Sequence, residues 1–408
     1  MRATCVINGG FTAQVRLQED GLSVTGCPVM IAPVRLTTRL KSLSRQKIPV
    51  FDSVSGIRYN PSMFSLMEVI ASEEVLEQAF AWLCERRKNY AHNDEVWDVR
   101  FRWADIKPVL QRKLLAGRCR FSPLRRIHRR EDSLEIWSAL DSLVLKAMAI
   151  VLTKHLAPRL SKHCTHLAGN GGAKAAVRHV LGKLPENQFV FRTDVKRYYA
   201  SISHHILFSQ LRDVIDDPRL LDLLRQYLRR TVYDDGLYED IEQGISLGCS
   251  LSPLMGALFL DRLDRRMEAK GLCYIRFMDD WVILAPSRWK LRRAVRIVQQ
   301  TLDELNVETH PDKTSIGRID RGFRFLGYDF NATGLVGVAP TTYERFVKRV
   351  NRLYEQGASA RCIGDYVRRW YRWLVSGLGD WIMTLQGTIC ACDANGILTI
   401  LLPRYPAT

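Results

Sequence analysis

Apolar positions along this chain recur at two periods, and the switches between them mark the predicted elements. From about residue 63 to 117 they return every three or four residues, in "MFSLMEVIASEEVLEQAFAWLCERRKNY" and "WADIKPVLQRKLLAG". That spacing predicts basic amphipathic helices with a glycine stop. "RCRFSPLRRIHRRED" reads as a strand dense in Arg, and 134–160 as one or two strongly apolar helices. "GNGGAKAAVRHVL" is a glycine-rich turn opening an amphipathic helix; it lacks the GKS or GKT ending and the preceding strand of a phosphate loop. "QFVFRTDVKRYYASISHHILFSQL" predicts a strand ending at an Asp, a turn, and a helix capped by Ser203. "GISLGCSLSPLMGALFLDRLDRRM" predicts a loop and a helix with Ser252 as N-cap and Pro253 in its first position. Later come an amphipathic basic helix, "SRWKLRRAVRIVQQTLDELN", and the strand-like "HPDKTSIGRI" and "GFRFLGYDF". Helices rich in Arg and aromatics, "YERFVKRVNRLYEQ" and "YVRRWYRWLVSGL", then run to about 385. Residues 1–60 predict no firm element. Strands and helices without a βαβ rhythm place the chain in the α+β class.

One stretch breaks the pattern. "YIRFMDDWVIL" (274–284) has flanks that read as buried strands and two adjacent carboxylates between them. "MDD" is then the turn of a hairpin that presents Asp279 and Asp280 together at its tip. Such a pair is either a solvated turn or a divalent-metal platform, and the second needs another carboxylate from elsewhere.

Composition narrows the choice. The 408 residues have an ordinary globular content, 47% hydrophobic and 25% charged, but 60 Lys+Arg against 43 Asp+Glu leave a net charge of +17. That excess points to a polyanionic partner. No apolar run has the length of a membrane span, and "MRATCVINGGFTAQ" lacks the apolar core of a secretory signal. A cytoplasmic nucleic-acid role, with no membrane, is the working expectation. The ten cysteines include no CxxC pair, so neither a disulfide framework nor a zinc site is expected. "SKHCTHL" (His163, Cys164, His166) has no second ligand pair and reads as surface residues at a helix end.

Asp194 is the candidate third carboxylate. It ends the apolar strand "FVFRT" as Asp279 interrupts another, so both can converge on one sheet edge. Phosphoryl transfer to a 3′-hydroxyl uses two Mg²⁺ ions about 4 Å apart held by carboxylates. Five segments in this order resemble the palm motifs of bacterial reverse transcriptases of the group II intron and retron type. They are "DVKRYYASI", "GISLGCSLSP", "FMDD", "HPDKT" and the primer-grip-like "FRFLGY". "FSPLRRI" and "ALDSLVLKAM" look like fingers and the last helices like a thumb, so the resemblance covers roughly 120–380.

The resemblance implies a right-hand polymerase with fingers, palm and helical thumb. It implies an N-terminal extension over 1–118, fingers over 119–188, palm over 189–335 and thumb over 336–408. Asp194, Asp279 and Asp280 would ligate two Mg²⁺, which Mn²⁺ could replace. Tyr199 would exclude a 2′-hydroxyl beneath the incoming sugar, unless it is a core tyrosine and Tyr198 serves. The backbone of Val195, Lys196, Arg197 and Tyr198 would donate amides to the triphosphate. Gly248, Ser252 and Pro253 would lie where template and nucleotide meet. Lys313 would protonate pyrophosphate, or be an ordinary exposed lysine. Arg120, Arg125 and Arg126 would grip the triphosphate or the nucleic-acid backbone. Phe325, Leu326 and Gly327 would contact the primer, and Arg368 and Arg369 the nucleic acid.

The implied activity is RNA-directed DNA synthesis from dNTPs on an RNA template with a DNA or RNA primer. A defence-type member would work with a dedicated non-coding RNA. The rivals are an RNA-dependent RNA polymerase and a catalytically silent maturase-like RNA binder. Two departures bear on this. Ser246-Leu247-Gly248 stands where the family usually has "PQG", and "FMDD" replaces the commoner tyrosine-led form.

Overall fold

The computed structural model describes residues 65–128 and 133–376, with the backbone of five short strands at 2–7, 11–18, 21–25, 390–392 and 398–400. Most of 1–60, and the predicted helical stretch from 377 to 385, lie outside the described residues. By its contacts the chain divides into two compact units. One comprises Ser53–Gly172 and Phe191–Ile316; the other comprises Met1–Asp52, Ala173–Val190 and Gly317–Thr408. Near the N-terminus β1 (Arg2–Ile7), β2 (Phe11–Gln18) and β3 (Gly21–Thr25) pair antiparallel in chain order.

The larger unit opens with α1 (Leu66–Ile70), α2 (Glu73–Arg86), α3 (Glu95–Phe101) and α4 (Trp103–Leu115). Each of the first three starts on an oxygen-bearing cap, Ser65, Ser72 and Asp94, that accepts from an otherwise unpaired backbone amide. Next come β4 (Leu124–His128) and β5 (Ser133–Ile136), then α5 (Ala139–Leu156), whose neighbours α1, α2 and α3 pack around it. An apolar helix must be buried to be stable, and Leu143, Met148 and Leu152 are fully so. The expectation of helix from 134 is corrected here. Residues 134–136 belong to β5, where Glu135 sits opposite Arg126 of β4 and pairs with it at 3.6 Å.

The chain continues through α6 (Gly172–Lys183), β6 (Phe189–Asp194), α7 (Tyr198–Ser201), α8 (His204–Arg212), α9 (Pro218–Leu228), β7 (Thr231–Asp234) and β8 (Leu237–Asp240). Ser203 caps α8 as expected. β7 and β8 form a hairpin across Asp235-Gly236, both at positive φ, and β7 adds to β4 in parallel. Then follow α10 (Ser252–Phe259), α11 (Asp261–Ala269), β9 (Cys273–Phe277), β10 (Asp280–Ala285), α12 (Arg288–Leu305) and β11 (Ser315–Arg318). The four-stranded sheet that carries the candidate site has the order β11-β6-β10-β9. α12 packs on β10 and against α11, which lies on β9.

In the other unit β12 (Phe323–Phe325), β13 (Tyr328–Asn331) and β14 (Gly334–Val338) make an antiparallel meander. α13 (Pro340–Glu355) and α14 (Ala360–Val375) follow, and the backbone of β15 (Cys390–Cys392) pairs with β16 (Leu398–Ile400). The aromatics of α14 are packed rather than free: Trp370 stacks on Phe346 at 4.1 Å and Trp373 on Tyr328 at 5.5 Å. Among the described residues no helix is long and apolar enough to cross a membrane.

Candidate active site

β9 and β10 form the tight hairpin expected of "MDD". Phe277 faces Asp280 across the ladder, so Met278 and Asp279 are the two-residue turn, with Met278 at φ 58°. β6 lies beside β10, which brings Asp194 at its end to this tip. Asp194 and Asp279 meet there. The Asp279 carboxyl is pushed up to about 7, first by burial and then by hydrogen bonding and repulsion from Asp194. Asp194 is 6% exposed, and its Oδ1 has no hydrogen-bond partner. A buried and a half-buried carboxylate that crowd each other, with Asp194 Oδ1 unpartnered, form a donor set suited to a hard divalent cation.

Asp280 does not complete a set of three. Its carboxylate turns to Arg192, with Nε at 3.2 Å and Nη2 at 3.3 Å, and burial raises its pKa against that partner. Among the described residues no group of three or more His, Cys, Asp or Glu is assembled as a metal centre. Lys313 follows a short 3-10 turn and places its ammonium on Asp194 Oδ2. A buried carboxylate takes the cation available to it. Of the sequence-predicted residues, Asp194 is thus paired with Lys313 and crowds Asp279, while Asp280 is paired with Arg192.

Tyr198 and Tyr199 separate cleanly. Tyr198 is 4% exposed and its hydroxyl donates to the Gly256 carbonyl at 2.5 Å, so it is the core tyrosine. Tyr199 is half-buried beside it, against Gly256. A Cβ there would come within 3.0 Å of the Tyr199 ring. Its phenol is pushed up to about 12, by burial and by the nearby Asp279. The turn between β6 and α7 places Arg197 at φ 51°. One expected amide is already spent: Lys196 N–H donates to the Glu308 carbonyl at 2.9 Å, while Val195 bridges Thr309.

Several other predicted contacts are corrected by burial. Ser252 is 2% exposed and is the first residue of α10, with Leu251 in the cap position and Pro253 second. Its hydroxyl is held by the Ser246 carbonyl at 2.5 Å and by Tyr227 at 2.8 Å, which leaves it neither a cap nor a surface contact. Phe325 is fully buried, and in "FRFLGY" Arg324 is exposed while Leu326 and Gly327, both at positive φ, are half-buried. Arg126 is engaged by Asp234, Glu239 and Glu135, whereas Arg125 is exposed and Arg120 pairs with Asp222. Gly248 is exposed at φ 79°, which favours glycine there, beside a Leu247 that is 57% exposed. Arg368 and Arg369 are exposed on α14, Arg368 paired with Asp365.

The hairpin is held from two sides by residues that sequence reasoning missed. Arg276, fully buried, bonds the equally buried Asp264 through Nε at 2.9 Å and donates to the Met278 carbonyl at 2.9 Å. Tyr274 also donates to Asp264, at 2.7 Å. Opposite, His166 Nδ1 accepts from the Met278 amide at 3.0 Å while Nε2–H donates to the Pro253 carbonyl at 3.0 Å. Burial and the Arg276 charge lower His166 to about 4, so the ring is neutral and can play both parts. "SKHCTHL" is thus no surface segment. Cys164 is fully buried in a parallel bridge to Arg276.

With this geometry in place, residues 138–330 match the sequence model of the reverse transcriptase (RNA-dependent DNA polymerase) family. That stretch is a reverse transcriptase domain. It contains Asp194, Asp279, Asp280 and Lys313 together with the hairpin and its supports. The chain is similar to the protein YkfC of Escherichia coli (strain K12), 22% identical over 54% of this chain and 70% of that one. It also resembles the putative COX1/OXI3 intron 1 and intron 2 proteins of Saccharomyces cerevisiae, 22% and 25% identical, but covers only 20% and 18% of their length. Among solved structures, a partial Cas6-RT-Cas1–Cas2 complex is 22% identical over 62% of this chain and 45% of that chain, with a TM-score of 0.38.

Proposed function

We propose that this chain is an RNA-directed DNA polymerase that adds dNTPs to a primer 3′-hydroxyl at the tip of the β9–β10 hairpin. The observation that carries the proposal is the meeting of Asp194 and Asp279, whose crowding holds Asp279 near 7 with Asp194 Oδ1 unpartnered. These two carboxylates would hold divalent cations, with Asp280 released from Arg192 to assist. Mg²⁺ bound there neutralises charge on the triphosphate and on the attacking hydroxyl. Lys313, already beside Asp194, would hold the proton for the departing pyrophosphate. Tyr199 would exclude a 2′-hydroxyl. In this reading the hairpin sheet is the palm, the helical layers around α5 with the β4 sheet are fingers, and α13–α14 form the thumb.

Replacing Asp279 and Asp280 by Ala tests this. Incorporation of labelled dNTP on an annealed RNA template and DNA primer should fall by about 1000-fold or more, with RNA binding retained. Undiminished incorporation would remove the assignment. A second reading, a non-catalytic RNA binder, is favoured by the likeness to the two yeast intron proteins and by the exposed Leu247 in place of the usual glutamine. The same assay on the unmodified chain separates the two.

A further inference from the structure

α12 carries a surface that the proposed chemistry does not use. Its apolar face (Leu291, Ala294, Val298, Leu302) is buried on β10 and α11. The opposite face presents Trp289, Arg292, Arg293 and Arg296, spaced i, i+3, i+4 and i+7 and therefore one stripe. Trp289 is 79% exposed, which is costly for the largest apolar side chain unless something covers it. No Asp or Glu occurs between Arg288 and Asp303. On the adjacent α11, by contrast, Arg262 and Arg266 pair with Glu304, and Arg265 with Asp261. Like charges at i, i+3 and i+4 weaken a helix, so this stripe opposes local stability, a pattern expected where a surface serves binding.

The stripe is also remote from the catalytic tip. β10 runs six residues from Asp280 to Ala285 before α12 begins, on the order of 20 Å of extended chain. We propose that the N-terminal half of α12 is a second docking surface for single-stranded RNA. The three arginines would take successive phosphates, and Trp289 would stack an unpaired base. Charge complementarity selects a polyanion, and the exposed indole among the arginines selects one with free bases over an acidic protein or a lipid surface. The inference goes beyond the polymerase reading and rests on it only for the control.

The test uses the full chain saturated with unlabelled annealed primer–template, then titrated with a fluorescent single-stranded RNA of about 15 nucleotides at several KCl concentrations. Arg292→Gln/Arg293→Gln/Arg296→Gln should reduce the slope of log affinity against log salt by about 2. Trp289→Ala should weaken binding about tenfold and Trp289→Phe should restore most of it. Thermal melts should not fall, since all four side chains face solvent. Unaltered affinity and slope in both variants would overturn the proposal, as would equal, stripe-dependent binding of polyglutamate or of phosphatidylserine vesicles. Primer extension is scored separately. A wild-type chain that fails to extend would count against the polymerase reading and leave the RNA titration interpretable.

Discussion

At the scale of single residues, Tyr199 and Asp279 carry the sharpest expectations. Tyr199 stands half-buried against Gly256 and close to Asp279, while Tyr198 is locked in the core by its bond to Gly256. A steric exclusion disappears with its ring. Tyr199→Val should admit ribonucleotides while keeping measurable dNTP incorporation, read as the ratio of kcat/KM for the two sugars; an unchanged ratio would remove the gate. Asp279 makes a pH-dependent statement. Its folded-state pKa, about 7, lies above the ordinary carboxylate value, so its contribution to stability is full below about 4 and is lost as pH rises toward 7. The metal-free chain should therefore lose melting temperature across that window relative to Asp279→Asn. Millimolar Mg²⁺ or Mn²⁺ should recover it in the wild type alone. Parallel curves for the two proteins would contradict the crowded pair.

At the scale of elements, the β9–β10 hairpin is a short ribbon whose turn is fixed by its neighbours. Arg276 takes the Met278 carbonyl and His166 the Met278 amide, so both polar groups of the turn's first residue are satisfied from outside the turn. Arg276 can be buried because Asp264 and the Met278 and Ala257 carbonyls accept from it, with Tyr274 donating to the same Asp264; a buried charge without such partners would be costly. His166→Ala leaves the Met278 amide without its acceptor and lets Asp279 drift. Since a displacement of about 1 Å can cost on the order of 100-fold in rate, kcat should fall by roughly 10- to 100-fold with KM for dNTP little changed. His166→Asn keeps an acceptor near the Nδ1 position and should rescue most of the loss. A drop in KM-dependent binding alone, or no rescue, would give His166 a merely structural role.

At the scale of the whole molecule, the net charge of +17 is what the proposed association with RNA would draw on. Affinity should fall steeply with salt as bound phosphates release counterions. In that proposed association α14 would contribute through charge and not through stacking, because Trp370 is occupied by Phe346 and Trp373 by Tyr328. Arg368→Ala/Arg369→Ala should lower both affinity and salt slope, by about 1 to 2 in the slope, measured by anisotropy over a KCl series. No change in either would detach α14 from the nucleic acid.

The sequence by itself determined what depends on neighbours a few positions apart. The strand-like "YIRF" and "WVIL" with "MDD" between them specify a hairpin turning at MDD, and Ser203 announces its helix because capping is local. The α+β class followed from period alone. Tertiary structure decided everything that joins distant segments. It brought β6 beside β10 so that Asp194 crowds Asp279, sent Asp280 to Arg192, and buried Ser252 and Phe325. It also turned "SKHCTHL" into the support of the hairpin. Such outcomes are illegible in one dimension because burial changes what a residue does. The His166 ring that would titrate near neutrality in water becomes a fixed neutral bridge in the interior, and the same desolvation makes Asp279 hold its proton.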